Sequence, residues 1–257
     1  MIGILFHPKI PRALPMAENI SGWLEARGKT VWRESVESAE NLTPQIADSS
    51  LILALGGDGT VLRCVRATAP LQVPVFSINL GKLGFLTEAT PDNWQQRLSV
   101  VLAGKHRIER RLMLRAIIER EGVQIAELTA LNEIVLGRGR QVQIVRFQLF
   151  VGGNLVEAYA ADSLITATPT GSTAYALAAG GPIMPPELPN FMVVPVAPHL
   201  SLDRAIILHE DAEVGIRPIF HHKALATADG QHAVDLQTRD MVRIRRAEHD
   251  GLFVRID

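Results

Sequence analysis

Leu51-Ile52-Leu53-Ala54-Leu55-Gly56-Gly57-Asp58-Gly59-Thr60 decides the fold. Five apolar residues without alternation read as a strand covered on both faces. Three glycines then give the freedom for a sharp turn, and amides without a Cβ beside them approach a phosphate closely. Thr60-Val61-Leu62-Arg63-Cys64-Val65-Arg66 opens a helix whose free N–H groups and dipole favour an anion at its start. One carboxylate, Asp58, stands inside this anion cradle. Beside bound phosphates its charge is costly unless it holds a metal ion or accepts a proton. On that ground the turn reads as a phosphoryl-transfer site. A plain turn with Asp58 as helix N-cap accounts for the same residues.

Outward from the turn, strands and helices alternate. Ile2 to Phe6 reads as a buried strand, Ala17 to Arg27 as a helix stopped by Gly28, and Lys29 to Glu34 as a second strand. Ser35 to Ser50 is polar and ambiguous. Beyond the turn helix, Val73 to Ile78 is another strand, and the series is that of a doubly wound parallel sheet. Ligands of such sheets sit off the carboxyl ends of the strands. The Gly-Asp turn lies at that edge, as does Asn79-Leu80-Gly81-Lys82-Leu83-Gly84-Phe85-Leu86, which reads as a second loop near the same crevice or as an ordinary turn. Asp92 to Ala103 is a helix ended by Gly104, where a domain boundary is expected.

Past Gly104 the apolar period becomes two. Met113 to Ile118, Val123 to Leu128, Val145 to Val151 and Leu155 to Thr168 read as strands, with a hairpin at Gly152-Gly153-Asn154. Phe191 to Val196, Ala205 to Leu208, Glu213 to Ile216, Ala224 to Ala228, Met241 to Arg245 and Leu252 to Ile256 follow as short strands. The expected architecture is α/β plus β: a Rossmann-like, doubly wound parallel domain over 1–104, then a β-rich, sandwich-like domain over 105–257.

The chain of 257 residues is long enough to bury a core without covalent staples. A net charge of −1 leaves no strong nucleic-acid or membrane footprint, and no apolar run approaches a membrane span. The one cysteine, Cys64, excludes an internal disulfide and fits a reducing, cytoplasmic setting; on the turn helix it reads as packing. His221-His222 suggests metal only faintly, since no partner ligand spacing accompanies the pair.

One stretch of the β half does not read as sheet: Thr166-Ala167-Thr168-Pro169-Thr170-Gly171-Ser172-Thr173-Ala174-Tyr175-Ala176-Leu177-Ala178-Ala179-Gly180-Gly181-Pro182. A hydroxyl-rich turn is followed by a short helix from about Ala174, with Ser172 or Thr173 as N-cap. Hydroxyls here can donate to ribose or phosphate oxygens, the alanines leave room for a large ligand, and Tyr175 can stack on a base or pack. A capped helix packed through its alanines is the plainer account. Asn132-Glu133 offers an amide and a carboxylate able to bind two adjacent ribose hydroxyls, Asp162 precedes the hydroxyl-rich turn, and Asp229-Gly230-Gln231 is by itself a plain turn.

Taken together, these residues resemble the NAD kinase family. The resemblance runs from Leu51 to about Gln231: Gly56 to Thr60, Asn79-Leu80-Gly81 with Leu83 to Leu86, Asn132-Glu133, Thr168 to Gly181 and Pro198-His199. It implies transfer of a phosphoryl group to the 2′-hydroxyl of the adenosine ribose of NAD, from ATP or polyphosphate, with a divalent metal such as Mg²⁺. It implies that Asp58 accepts the proton. Gly57, Gly59, Asn132, Glu133, Asp162, Thr173, Ala174, Tyr175, Ala176, Leu177, Ala178 and Gln231 then surround the nucleotides, with Arg63 in reach of a phosphate. A homo-oligomer, dimer or tetramer, is implied as well. Ser163 stands where the family usually has Gly, Ala178 where it usually has Ser, and Leu200-Ser201 displaces the usual Ser after His199. A lipid or sphingoid kinase with the same glycine turn, and a dinucleotide-binding sensor without catalysis, are the alternatives.

Overall fold

The computed structural model describes residues 1–81, 84–139, 145–199, 202–220 and 224–256, so Lys82-Leu83, Leu200-Ser201 and His221-His222 lie outside the described residues. The chain forms two units, Met1–Arg111 with His249–Asp257, and Leu112–Glu248.

In the first unit the elements are β1 (Ile2–Phe6), α1 (Ala13–Glu25), β2 (Val31–Ser35), α2 (Thr43–Ala47), β3 (Leu51–Gly56), α3 (Asp58–Thr68), β4 (Val75–Asn79), α4 (Trp94–Leu102) and β5 (Arg107–Arg111). The apolar run of β3 is buried at every position, as a strand with two covered faces must be. Leu51, Leu53 and Leu55 join one apolar cluster with Ala17, Ile20 and Leu24 of α1 and Trp94 and Leu98 of α4. Ile52 and Ala54 alternate to the other face, where α3 packs on β3 and β4. Cys64 is fully buried on α3, and burial pushes its thiol well above the usual range, so it packs and does not react.

The sheet of this unit runs β2-β1-β3-β4, then the strand Gly251–Arg255, then β5. Its neighbours are parallel except at β5. Strand order reverses at β1, between β2 and β3, and the Gly-Asp turn leaves the carboxyl end of β3 beside that reversal.

Two sequence expectations are corrected here. The boundary expected after Gly104 falls after Arg111, because Arg107–Arg111 is an edge strand of the parallel sheet. The strand Leu252 to Ile256, assigned above to the β-rich half, returns to the first sheet: Phe253 pairs with Val75 in parallel and with Glu109 antiparallel. A nearly buried ion cluster fastens this return. Arg255 reaches Glu88 at 3.1 Å and Glu109 at 3.4 Å, Arg111 also binds Glu109, and Arg97 binds Glu88 at 2.8 Å. Burial acts to raise the Glu109 carboxyl, but Arg111, Arg255 and Arg107 outweigh it and hold the group below the usual carboxylate range. The stability this gives is present above that range and is lost as pH falls through the lowered value. Glu109→Gln is therefore expected to lower the unfolding free energy by about 1–3 kcal/mol at neutral pH and to flatten its acid limb, as read from urea titrations between neutral and acid pH.

The second unit holds β6 (Leu114–Arg120), β7 (Val123–Ala130), β8 (Glu133–Arg138), β9 (Val145–Val151), β10 (Asn154–Ala161), β11 (Ser163–Ala167), α5 (Tyr175–Ala178), β12 (Asn190–Val196), β13 (Ile206–His209), β14 (Val214–Ile219), β15 (Ala224–Ala228), β16 (His232–Leu236) and β17 (Met241–Arg246); Gly251–Arg255 of the first unit is β18. They make two antiparallel sheets, β10-β9-β14-β17-β6-β7 and β13-β12-β11-β8-β15-β16. One core takes alternate residues from both, among them Ala116 and Ile118, Phe147 and Leu149, Ile134 and Leu136, and Ala224, Ala226 and Ala228. The expected sandwich is present. The hairpin at Gly152-Gly153 has positive φ at both residues, 56° and 82°, as a two-residue turn between right-twisted strands requires.

The outer face of the second sheet carries a smaller apolar cluster, in which Ile165, Ala167, Met192 and Val194 meet Ala176 and Met184. The segment around α5 is thereby laid against the ends of β8 and β11. No helix among the described residues is long and apolar enough to cross a membrane.

Candidate active site

In the first unit, Gly57 is the N-cap residue of α3 and no side chain caps the helix start. Asp58, the first helical residue, does not turn back to cap its own helix. Its carboxylate accepts from the backbone N–H of Phe85 at 3.1 Å and of Leu86 at 3.4 Å. A Cβ at Gly84 would overlap that carboxylate, so only glycine lets the loop come this near. The loop is itself anchored: Ser77 donates to the Leu86 carbonyl at 2.7 Å, Asn79 Oδ1 accepts from Gly81 N–H at 2.8 Å, and Leu80 N–H donates to the Gly56 carbonyl at 3.0 Å. Arg12 binds the Leu80 carbonyl through its guanidinium. Gly57, Asp58 and Gly59 thus sit together at the helix start, half-buried Arg63 follows in the next turn of α3, and Gly84 to Leu86 of the second glycine loop lie against the acid. The N-cap account of Asp58 is set aside by these contacts.

In the second unit, Asn132 and Glu133 lie where the chain enters β8. Glu133 shares the outer face with Val135 and is 7% exposed. The Tyr175 N–H of α5 donates to it, yet burial, with the nearby Asp229 carboxylate, raises its pKa to about 7. Glu133 Oε2 and Asn132 Oδ1 are buried without a hydrogen-bond partner among the described residues. Buried acceptors are seldom left unmade, since each forfeits its hydration.

The hydroxyl-rich turn departs from its expected use. Thr168 Oγ1 donates to the Leu131 carbonyl at 2.6 Å, and Ser172 Oγ donates to the Pro169 carbonyl at 2.6 Å while accepting from Met184 N–H at 3.0 Å. Thr173 Oγ1 donates to the Thr170 carbonyl at 3.3 Å. These hydroxyls hold backbone, as Ser and Thr do when local carbonyls are in reach. Neither Ser172 nor Thr173 caps α5; residues Thr170–Thr173 form a 3₁₀ turn and Ala174 occupies the N-cap without a side-chain bond. Gly171 passes so close to the Asn132 carbonyl that a Cβ would overlap it, which fixes the turn against the Asn-Glu pair. Beyond it Ala176 is buried, while Tyr175 and Leu177 are each 42% exposed and Ala178 is open.

One predicted residue stands apart from this cluster. Asp162 precedes β11, whose far end pairs Ala167 with Glu133, so a strand of about 16 Å separates them. It forms an ion pair with Arg138 at 3.2 Å. Gln231 closes the β15–β16 turn, its N–H donating to the Ala228 carbonyl at 2.9 Å. Sequence reasoning passed over Asp229 in that turn. Its carboxylate accepts from three successive N–H groups of Leu131, Asn132 and Glu133, at 3.0, 2.8 and 3.2 Å.

A parallel-sheet unit with an acid at a glycine-bounded helix start, joined in sequence to a sandwich bearing buried unpaired acceptors, has the parts of a nucleotide-handling phosphotransferase. Comparison with known proteins identifies the family. The ATP-NAD kinase N-terminal domain model matches residues 32–106 and the ATP-NAD kinase C-terminal domain model residues 131–256. The NAD kinase of Heliobacterium modesticaldum is 37% identical over 263 residues, covering 99% of this chain and 93% of that protein. That of Dehalococcoides mccartyi (strain BAV1) is 34% identical over 256 residues, covering 99% and 90%. Among solved structures, an Archaeoglobus fulgidus NAD kinase in complex with ATP is similar at a TM-score of 0.78 and 26% identity, covering 98% of this chain and 93% of that one. Yeast NADH kinase complexed with NADH shares the fold at a TM-score of 0.84 and 24% identity, covering 100% and 84%. The chain belongs to the NAD kinase family. Nothing in these likenesses favours a lipid kinase or a non-catalytic sensor.

Proposed function

We propose that this chain transfers the γ-phosphoryl group of ATP, or a phosphoryl group of polyphosphate, to the 2′-hydroxyl of the adenosine ribose of NAD, giving NADP. In this reading the ribose oxygen bonds to phosphorus as the bond from that phosphorus to its bridging oxygen breaks, and the electron pair leaves with ADP or with the shortened polyphosphate. The hydroxyl proton passes to Asp58. Gly57, Gly59 and the start of α3 face the phosphates, and Arg63 lies one turn further along the same helix. Asn132 and Glu133 hold ribose hydroxyls, the segment Thr173 to Ala178 lies along the nucleotide with Tyr175 exposed for stacking, and Gln231 lies at the neighbouring turn. In the same reading Asp162, at the other end of β11, takes the far end of an extended dinucleotide.

The observation that carries the reading is the pair of buried acceptors Asn132 Oδ1 and Glu133 Oε2, without a partner among the described residues. A ribose offers adjacent hydroxyl donors to such a pair. Among the described residues no group of three His, Cys, Asp or Glu converges. A divalent metal such as Mg²⁺ belongs to the reading as well, an ion that keeps its waters and needs few protein carboxylates. When bound it would neutralise charge on the transferring group. A homo-oligomer, dimer or tetramer, belongs to the same reading and is tested by sedimentation.

The test is NADP formation by the purified chain with Mg²⁺, NAD or NADH as acceptor, and ATP or polyphosphate as donor. NADP from NAD and ATP is expected. No phosphorylated dinucleotide from any of the four combinations overturns the reading.

A further inference from the structure

We infer that Asp229 is a positioning residue for ribose recognition, its carboxylate clamping the backbone of the Asn132-Glu133 pair so that both side chains keep an acceptor for the substrate. This rests on the reading that the pair holds ribose.

The clamp is nearly complete. Asp229 Oδ1 accepts from Asn132 and Glu133 N–H, Oδ2 accepts from Leu131 N–H, and Asp229 N–H donates to the Glu133 carbonyl at 3.0 Å. From the other side, Thr168 Oγ1 takes the Leu131 carbonyl and Thr168 N–H the Asn132 carbonyl at 2.8 Å. Every backbone N–H and C=O of residues 131 to 133 is therefore held from outside the segment. Nothing on that backbone is left to bind the two side chains, whose Oδ1 and Oε2 stay without partners among the described residues. A carboxylate suits the task because it accepts only, and three N–H groups converge on it.

The position is demanding. Asp229 lies at φ 50° and Gly230 at φ 64°, in the left-handed region that Asp tolerates better than most residues. It is 9% exposed. A buried carboxylate next to a second one is costly, and its repulsion adds to burial in raising Glu133 to a pKa of about 7. Among the described groups, the charge facing Glu133 comes from Asp229 on the β15–β16 turn, while α5 contributes the neutral Tyr175 N–H. A plain structural turn has no need to set a carboxylate there.

The experiment compares the full chain with Asp229→Asn and Glu133→Gln. In Asp229→Asn one amide oxygen can still serve Asn132 and Glu133 N–H, but the Leu131 bond and the negative charge go. Steady-state kinetics are read across pH 5.5 to 8.5, and the Glu133 carboxyl is followed by ¹³C NMR. The expected result for Asp229→Asn is a KM for NAD raised about tenfold, with the KM for ATP little changed. The Glu133 titration and the matching limb of 1/KM for NAD should move to lower pH. Glu133→Gln should remove that limb. A folded Asp229→Asn chain with unchanged KM for NAD and unchanged Glu133 titration overturns the inference. A wild-type chain that makes no NADP instead overturns the functional reading. In that event the NMR titration and the amide exchange of Asn132 and Glu133 still decide whether Asp229 positions them: unaltered exchange and titration in Asp229→Asn overturn the clamp, and faster exchange with a lowered titration supports it.

Discussion

Asp58→Asn lowers kcat for NADP formation by about 10²–10⁴-fold, the range a positioned general base supplies, while the affinity for NAD measured by calorimetry stays within about twofold. The substitution is isosteric. The amide oxygen still accepts from Phe85 N–H, the shorter of the two loop contacts at 3.1 Å, so the loop from Gly84 to Leu86 keeps its main tie to the helix start. What the amide lacks is a lone pair basic enough to take the ribose proton. The effect is expected in kcat because the proton moves only in the transition state, and a loose transfer leaves little of it to move early. Each carboxylate oxygen of Asp58 accepts one backbone N–H and retains further lone-pair capacity. The acid is thus oriented without being consumed, and an unchanged kcat in the variant would remove it from this role.

Legibility in the sequence followed the range of the interaction concerned. The run Leu51 to Leu55 announced a doubly covered strand, because burial on both faces needs only local composition. The Gly-Asp turn and the period-two strands of the sandwich were readable for the same reason. Arg107–Arg111 was not, because its two buried residues are Glu109 and Arg111, which no hydrophobic pattern marks. Their burial depends on Arg255, 146 residues away from Glu109 along the chain. Strand β18 was visible as a strand but not as a member of the first sheet, since pairing partners leave no local trace. The hydroxyl-rich turn was ambiguous in the opposite way. Thr168 and Ser172 have the chemistry to meet a ligand and equally the chemistry to hold backbone, and proximity to the Leu131 and Pro169 carbonyls chose the second. Asp229 was passed over because its partners lie 96 to 98 residues earlier. In sequence it is only the Asp of an Asp-Gly turn.

Ending the chain at Glu248 is expected to unfold the first unit and spare the second. The deletion removes β18 from an interior position between β4 and β5, not from an edge. Leu252, Phe253 and Val254 are at most 7% exposed there. Each loses roughly 1.5–3 kcal/mol of burial, and the three together approach the 5–15 kcal/mol that holds a whole domain. Glu88 and Glu109 also lose the Arg255 guanidinium and remain as poorly compensated buried acids. Residues 112–248 keep both antiparallel sheets and the apolar core between them, to which β18 contributes no residue. Amide exchange should therefore show protection lost across 1–111 and kept in 112–248. The opposite pattern, loss confined to the sandwich, is what a division after Gly104 with an intact β-rich C-terminal domain would require. Full protection of both units would mean that β18 is dispensable, which neither its place in the sheet nor its buried side chains allow.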